Sequence, residues 1–408
     1  MSMLMTSWAL RYLLLIFRGM KKLLPLLVLL AACSEKPNSE SSMDEEEPKN
    51  ILENLTYSID TILVDPGDEL LNLKDLSVFG KRNYFSVSKK SDYLYFFDRH
   101  SFLLNEISLE SLELANIYPF EEEGPDGIGR FVYSFQSLSN GNFYGRDLFG
   151  KAWFFTKQGK KIAEVEFNKE ELLQEFSFEL NLANHLLVDL RNDKLYSLPY
   201  FHNFKSLLLA IMEAKGQHGR LEALPKFEKS FDYSIQFDGD GGESRVEQFF
   251  LQQPNDLVLV SCTVGNAIYI YDPELDSLRY QEFHHELTPL EKNEKVKNEV
   301  FSRMEFQTEA DKLHTQINYY DFYWDEITQR YYRFASKGLP LANVDSPKQY
   351  EYFMFAYDKE LTLKGETKLE GFSELPLGGF FKDGKLWSYV NVEDELGFAV
   401  FSFDFKKL

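Results

Sequence analysis

Between Tyr57 and Leu408 the chain is a succession of short segments rich in β-branched and aromatic residues, punctuated by turn signals such as Asn140-Gly141, Asp272-Pro273 and Asp383-Gly384. Helical periodicity is scarce. The segments group in fours, which is the recurrence that propeller blades require. One set is 83–89, 93–98, 103–109 and 113–120; the next is 131–138, 141–147, 152–157 and 161–167. A third, less regular, covers 176–231. A fourth is 246–252, 257–263, 267–271 and 278–283, and a fifth is 317–324, 329–336, 351–357 and 361–369. The last group, 378–382, 385–392 and 397–405, has only three members, and the segment 57–64 can supply the fourth. An N-terminal strand that completes the C-terminal blade leaves no open sheet edge, which is the physical hazard of such a fold. The expectation is an all-β chain, a β-propeller of six four-stranded blades over 53–408, although the spacing alone also fits seven blades or two β domains.

Two stretches depart from the pattern. The apolar run 206–215 is helix-compatible although the scheme needs a strand there. The charged stretch 286–315 opens on Thr288-Pro289, carries no strand signal, and is expected to be a partly helical insertion between the fourth and fifth blades.

Ahead of the strands, Met20-Lys21-Lys22, the apolar stretch Leu23 to Leu30 and Ala31-Ala32-Cys33 read as a charged n-region, a short h-region and a cleavage site. The run is about half of the roughly 20 apolar residues needed to span a bilayer. The arrangement resembles the lipobox of bacterial lipoproteins, which implies that residues 1–32 are removed and that Cys33 carries lipid. A start at Met20 is the simplest explanation of the second apolar run, Trp8 to Phe17, the alternative being a tandem signal or a true anchor. Residues 33–52, with the acidic run Asp44 to Glu47, are expected to form a disordered tether.

The net charge is −21, and without residues 1–32, which hold four basic residues and no acidic one, it becomes −25. Such a surface repels nucleic acid and anionic headgroups, so membrane attachment falls to the lipid on Cys33. The second cysteine, Cys262, lies in the apolar run 257–263 and reads as a buried small hydrophobe. With Cys33 acylated, the folded part has no disulfide and depends on its core.

Local motifs are few. The loop 121–129 (Glu-Glu-Glu-Gly-Pro-Asp-Gly-Ile-Gly) lacks the order and flanking elements of a phosphate-binding loop and reads first as a tight turn; Glu123 and Asp126 are its candidates for lining a channel mouth. Asp238, Asp240 and Glu243 concentrate hard oxygen ligands among glycines, a weak calcium pattern without EF-hand spacing. In the aromatic run 319–334, alternation places Tyr332 and Phe334 on one face and Tyr331 and Arg333 on the other. Most of these rings are expected to pack within a blade, while Arg330 and Arg333 are candidates for pairing with a ligand carboxylate. The seven histidines form no metal-ligand spacing, and neither a Gly-x-Ser-x-Gly elbow nor a Cys-x-x-Cys pair occurs, so no metal or cofactor is expected.

The lipobox at Cys33, the Glu-Gly-Pro-Asp-Gly-Ile-Gly loop at 123–129 and the Tyr-Asp-x-x-x-Asp then Arg-Tyr-Tyr-Arg-Phe stretch at 320–334 together resemble an uncharacterised family of bacterial lipoproteins, similar to TolB-like six-bladed propellers. That resemblance supports fold and location and supplies no catalytic residues. The expected function is a non-catalytic module, tethered in the cell envelope, that binds a protein, peptide or glycan through one face of its ring. The rival is a hydrolase or lyase with carboxylates around the central channel. Ser34 follows Cys33 where an inner-membrane retention signal would have Asp, which favours the outer membrane; the side of it that the domain faces stays open.

Overall fold

A computed structural model describes residues 50–73, 85–167, 172, 181–182, 184–199, 206–216, 218–239, 241–340 and 346–405. Cys33, most of the tether and Asp240 lie outside them. Strand β1 (Thr56–Leu63) comes first in the chain and pairs last. The first sheet is β2 (Phe85–Val87), β3 (Tyr93–Asp98), β4 (Leu103–Ser108) and β5 (Glu113–Pro119). The second is β6 (Val132–Ser137), β7 (Phe143–Asp147), β8 (Ala152–Phe155) and β9 (Lys161–Val165). The third is β10 (Leu187–Asp189), β11 (Lys194–Ser197), β12 (Leu208–Glu213) and β13 (Gly219–Ala223). A small sheet then appears that the sequence did not announce, built on β14 (Ile235–Phe237) and β15 (Glu243–Arg245).

The fourth four-stranded sheet is β16 (Phe249–Gln252), β17 (Val258–Cys262), β18 (Ile268–Asp272) and β19 (Ser277–Gln281). After it, β20 (Glu299–Val300) joins β14 in parallel and so completes the small sheet. The fifth is β21 (Ile317–Asp325), β22 (Arg330–Gly338), β23 (Tyr350–Tyr357) and β24 (Leu363–Lys368). In the sixth, β25 (Phe380–Lys382), β26 (Lys385–Val392) and β27 (Glu395–Asp404) are joined by β1, which pairs antiparallel with β27 from Thr56 opposite Asp404 to Leu63 opposite Gly397. The described residues thus form seven sheets, six of them four-stranded and antiparallel, and none closes on itself. The expected completion of the C-terminal sheet by the N-terminal segment is present.

Alternation of side chains explains the packing, because each central strand sends successive residues to opposite faces. In β17, Val258 and Val260 belong to one core and Leu259 to another. In β23, Phe353, Phe355 and Tyr357 face one neighbour, while Tyr352, Met354 and Ala356 face the other. Six apolar clusters follow, each filled by consecutive sheets. Phe97, Phe135 and Phe155 lie between the first and second, and Tyr144, Leu195 and Met212 between the second and third. Tyr196, Ile211 and Val260 lie between the third and fourth, and Ile270, Phe322 and Phe355 between the fourth and fifth. Phe334, Met354 and Leu386 join the fifth to the sixth, and Leu94, Ile107 and Phe398 join the sixth to the first. Burying one such side chain fully is worth about 1.5–3 kcal/mol.

Strand ends are set by aspartates. Asp98, Asp147, Asp189, Asp272 and Asp325 each end a strand and accept a hydrogen bond from a backbone N–H two residues on, as in Phe149 N to Asp147 at 2.9 Å and Ile327 N to Asp325 at 3.0 Å. The β25–β26 turn uses Asp383 (φ 52°) and Gly384 (φ 72°), both left-handed, as tight hairpins require. The β26–β27 turn demands the same of Glu393 (φ 51°) and Asp394 (φ 71°) without a glycine. Replacing Asp394 with Gly is therefore expected to raise stability by about 0.5–1 kcal/mol, read as a shift of the urea midpoint.

Several expectations are corrected. The helix-compatible run 206–215 holds strand β12, as the grouping in fours required, because its alternate faces meet two cores, Leu209 and Ile211 in one and Ala210 and Met212 in the other. Within 286–315 the helix, α1 (Arg303–His314), starts fifteen residues after Thr288, where Ser302 caps the amide of Glu305 at 3.2 Å and the Glu305 carboxylate accepts from Phe301 N at 3.0 Å. Thr288 is instead buried and hydrogen-bonded to Tyr319 (2.7 Å). The same stretch also holds β20. The tether ends earlier than residue 52: Leu52 is fully buried, and the Asn50 side chain donates to Glu366 O at 2.8 Å and accepts from Glu366 N at 3.0 Å.

Candidate functional site

The first strands of five of the four-stranded sheets, and β1, β26 and β27 of the sixth, line a cavity of about 1480 Å³. Phe85 of β2, Ser134 and Gln136 of β6, Leu187 of β10, Gln252 of β16 and Asp321 of β21 all line it, as do residues from the connections that lead into those strands. Its walls mix apolar groups such as Phe249, Phe250, Phe372 and Leu377 with a small set of polar ones.

On one side, Arg146 of β7 stacks over the Tyr133 ring, with its guanidinium carbon 4.2 Å from the ring centroid. His185 stands nearby on the connection into β10, with φ 49°, a left-handed conformation uncommon for a non-glycine residue. Its ring is open to the lumen yet recessed among protein atoms. That burial, with the Arg146 charge, holds the imidazole down to about 4, so it is neutral at pH 7. Deeper in, the Gln252 side chain donates to Asp321 at 3.2 Å and accepts from Phe322 N at 2.9 Å, which fixes β16 against β21.

Three exposed carboxylates also line the cavity, each from a different connection or edge: Glu243 on β15, Glu299 on β20 and Glu374 between β24 and β25. Glu243 is 3.5 Å from Arg303, an exposed pair. A fourth, Glu247, is committed to the structure. It pairs with Lys292 at 2.6 Å and accepts from the Thr263 hydroxyl, and burial pushes the Lys292 ammonium down against the pull of Glu247. The Tyr389 hydroxyl, also at the cavity wall, has no hydrogen-bond partner among the described residues.

The sequence-predicted residues fare differently. Of the calcium candidates, Glu243 reaches the cavity, Asp240 lies outside the described residues, and no group of three His, Cys, Asp or Glu among the described residues could hold a metal. Asp238 is exposed and away from the cavity lining. Arg333 is corrected outright. It is fully buried between the fourth and fifth sheets, donating through Nε to Tyr320 O at 2.7 Å, through Nη1 to Asn266 O and through Nη2 to Gly265 O at 3.4 Å, over the rings of Tyr319 and Phe322. No ligand carboxylate reaches it. Arg330 is half-buried at the β21–β22 turn and does not line the cavity. The 121–129 loop is held by its own backbone, with Ile128 N donating to Glu121 O and Gly129 N to Glu122 O. Asp126 accepts from Lys161 N at 2.9 Å, and Glu123 projects into solvent beside Arg130. A Cβ on Gly127 would fall 2.7 Å from the Glu123 carbonyl carbon, so glycine is required there for packing.

Around Arg333 lies a buried polar cluster. His285 stacks on Phe355 with ring centroids 4.0 Å apart and is hydrogen-bonded to the hydroxyls of Tyr319 (3.1 Å) and Tyr357 (2.9 Å). Burial, then the charges of Arg333 and His284, holds its imidazole down to about 3. The unfolded chain takes up a proton near pH 6.5 that the folded chain refuses until about pH 3, so stability falls as pH is lowered through that window, by up to about 1.4 kcal/mol per pH unit. Urea unfolding at pH 6.5, 5.5 and 4.5 is expected to show a slope shallower by about one proton in His285→Gln than in the unsubstituted protein; equal slopes would refute this role.

The family of domains of unknown function DUF4221 matches residues 48–368. Among solved structures, a DUF4221 family member from Bacteroides vulgatus is similar at 15% identity and a TM-score of 0.58, over 86% of this chain and 98% of that one. The β-propeller domain of Cps50 (Swd1) from Myceliophteria thermophila is similar at 10% identity and a TM-score of 0.33, over 78% of this chain and 95% of that one. No curated protein matches. No helix among the described residues is long and apolar enough to cross a membrane.

Proposed function

The chain belongs to the DUF4221 family of domains of unknown function, and we propose that it is a non-catalytic binding module whose ligand enters the cavity faced by the first strands. The carrying observation is that cavity: it gathers residues from every four-stranded sheet, with apolar walls and a few converging polar groups, as ligand sites do. The six four-stranded sheets, with apolar cores between consecutive pairs and again between the sixth and the first, support reading them as six blades of a propeller, with β1 as the closing strand and the cavity as its channel. Recognition suits the carboxylates better than hydrolase or lyase chemistry does, because the buried Glu247 is neutralised by Lys292, while Glu243, Glu299 and Glu374 are exposed to solvent and not held in a buried site.

The module is read as a lipoprotein of the cell envelope, anchored at the outer membrane through Cys33. The leader 1–32, the start at Met20, the tether from Cys33 and the folded part to Leu408 belong to this reading. Cys33→Ser is expected to abolish incorporation of labelled fatty acid and release the protein from the membrane fraction. Continued labelling of that variant would overturn the anchor. To test binding, the lipid-anchored protein would be purified from its own envelope after mild crosslinking, alongside a Gln248→Trp variant that places a bulky ring at the cavity wall. A stoichiometric protein, peptide or glycan lost with the variant supports the module, while the same companions on both proteins count against it.

A further inference from the structure

We propose that the cavity takes a polypeptide segment carrying lysine or arginine side chains; this rests on the binding reading above. The argument is electrostatic. Among the described lining residues Arg146 is the only cationic side chain, set against Glu243, Glu247, Glu299, Asp321 and Glu374. Glu247 is already neutralised by Lys292 and Asp321 is tied to Gln252, which leaves Glu243, Glu299 and Glu374 facing solvent at the cavity. They come from three consecutive regions of chain: ahead of the fourth sheet, between the fourth and fifth, and between the fifth and sixth. The whole chain adds a net charge of −21, so the field draws cations toward this lumen and repels anions.

Charge alone does not choose between a metal ion and a larger cation. The described carboxylates do not gather into a group that could ligate a metal. Instead, rings and aliphatic side chains separate them, notably Phe249, Phe250, Phe372 and Leu377, which suit the apolar residues of a peptide and the stems of long basic ones. The Glu243–Arg303 pair is exposed on both sides, so exchanging Arg303 for a ligand's guanidinium costs little. A volume of about 1480 Å³ accommodates several residues of extended chain.

The test uses the mature lipidated protein, Cys33 to Leu408, in neutral detergent and three fluorescent eight-residue peptides, Lys/Phe, Ser/Phe and Glu/Phe, read by anisotropy. The Lys/Phe peptide is expected to bind at least about tenfold more tightly than the Ser/Phe peptide at about 50 mM salt, the difference shrinking to under about threefold at about 500 mM. Glu243→Gln, Glu299→Gln and Glu374→Gln together are expected to remove that advantage. Glu113→Gln, Glu164→Gln and Glu393→Gln, which change net charge equally away from the cavity, are expected to keep it. Equal loss in both triple variants, or tighter binding of the Ser/Phe or Glu/Phe peptide, overturns the basic-segment proposal. If a Ser/Phe or Glu/Phe peptide binds and Gln248→Trp blocks it, the binding module survives; if no peptide of any charge binds, and no cavity-dependent companion is recovered from the envelope, both readings fall.

Discussion

Replacing Arg333 with Met is expected to destabilise the fold by about 3 kcal/mol, measured as the free energy of urea unfolding at pH 7. The guanidinium is fully buried and spends its planar donors on three backbone carbonyls, those of Tyr320, Gly265 and Asn266, drawn from two sheets. Methionine fills much of the volume and removes the cost of burying a charge, but it leaves those carbonyls without their donor, at about 1–3 kcal/mol for each orphaned group, with partial relaxation. It also gives up the contacts with the Tyr319 and Phe322 rings. Arg333→Lys is expected to fall short as well, because one ammonium cannot span the three acceptors. A loss below about 1 kcal/mol for Met would mean that the arginine is not the cross-sheet tie described here.

The double substitution Ile59→Pro and Asp60→Pro is expected to cost about 4 kcal/mol and to convert a single unfolding transition into a broad or multiphasic one. Strand β1 buries little of itself; its contribution is the backbone ladder to β27, where Ile59 stands opposite Phe401 and Asp60 opposite Val400. Successive N–H groups of a strand point to opposite sides, so one of two adjacent prolines must remove a ladder donor. Without the ladder, β27 presents an open edge, which invites pairing with other chains. The matched pair Ile162→Pro and Ala163→Pro in β9, the outer strand of the second sheet, disturbs an edge strand that joins no chain termini. It is expected to cost stability and keep one transition. If the two pairs behave alike, β1 has no special role in joining the ends of the chain.

How far the sequence disclosed this structure follows from which interactions are local. Turns at Asn140-Gly141 and Asp383-Gly384, and alternation within strands, are local, so the first, second, fourth, fifth and sixth sheets were legible to within a few residues. A repeat signal was present and missed: a residue with a large side chain followed by the turn-closing Asp, as in Phe97-Asp98, Tyr271-Asp272, Trp324-Asp325 and Tyr357-Asp358. Arg333 was misjudged because alternation gives the face of a strand and not what covers it. Here the fourth and sixth sheets cover both faces of the fifth, so Tyr331 to Ser336 on β22 are all buried, whichever face they point to. β20 is two residues long and gets its pairing from β14, where Gln236 stands opposite Glu299, a separation in the chain that no local pattern can announce. The cavity was illegible for the same reason. Arg146, His185, Glu299 and Glu374 meet only through the arrangement of the sheets, although the polar residues on the first strands, Ser134, Gln136, Gln252 and Asp321, were a readable hint of a wetted inner surface.

The most direct test of the account places a photo-crosslinking amino acid at Gln248, inside the cavity, or at Glu164, on the outer strand β9, in the lipid-anchored protein within its own envelope. Illumination is expected to give a discrete crosslinked species from position 248 and none from position 164, with the product abolished by Phe249→Ala together with Phe372→Ala. The same product from both positions, or from 164 alone, would contradict a binding module that works through its cavity.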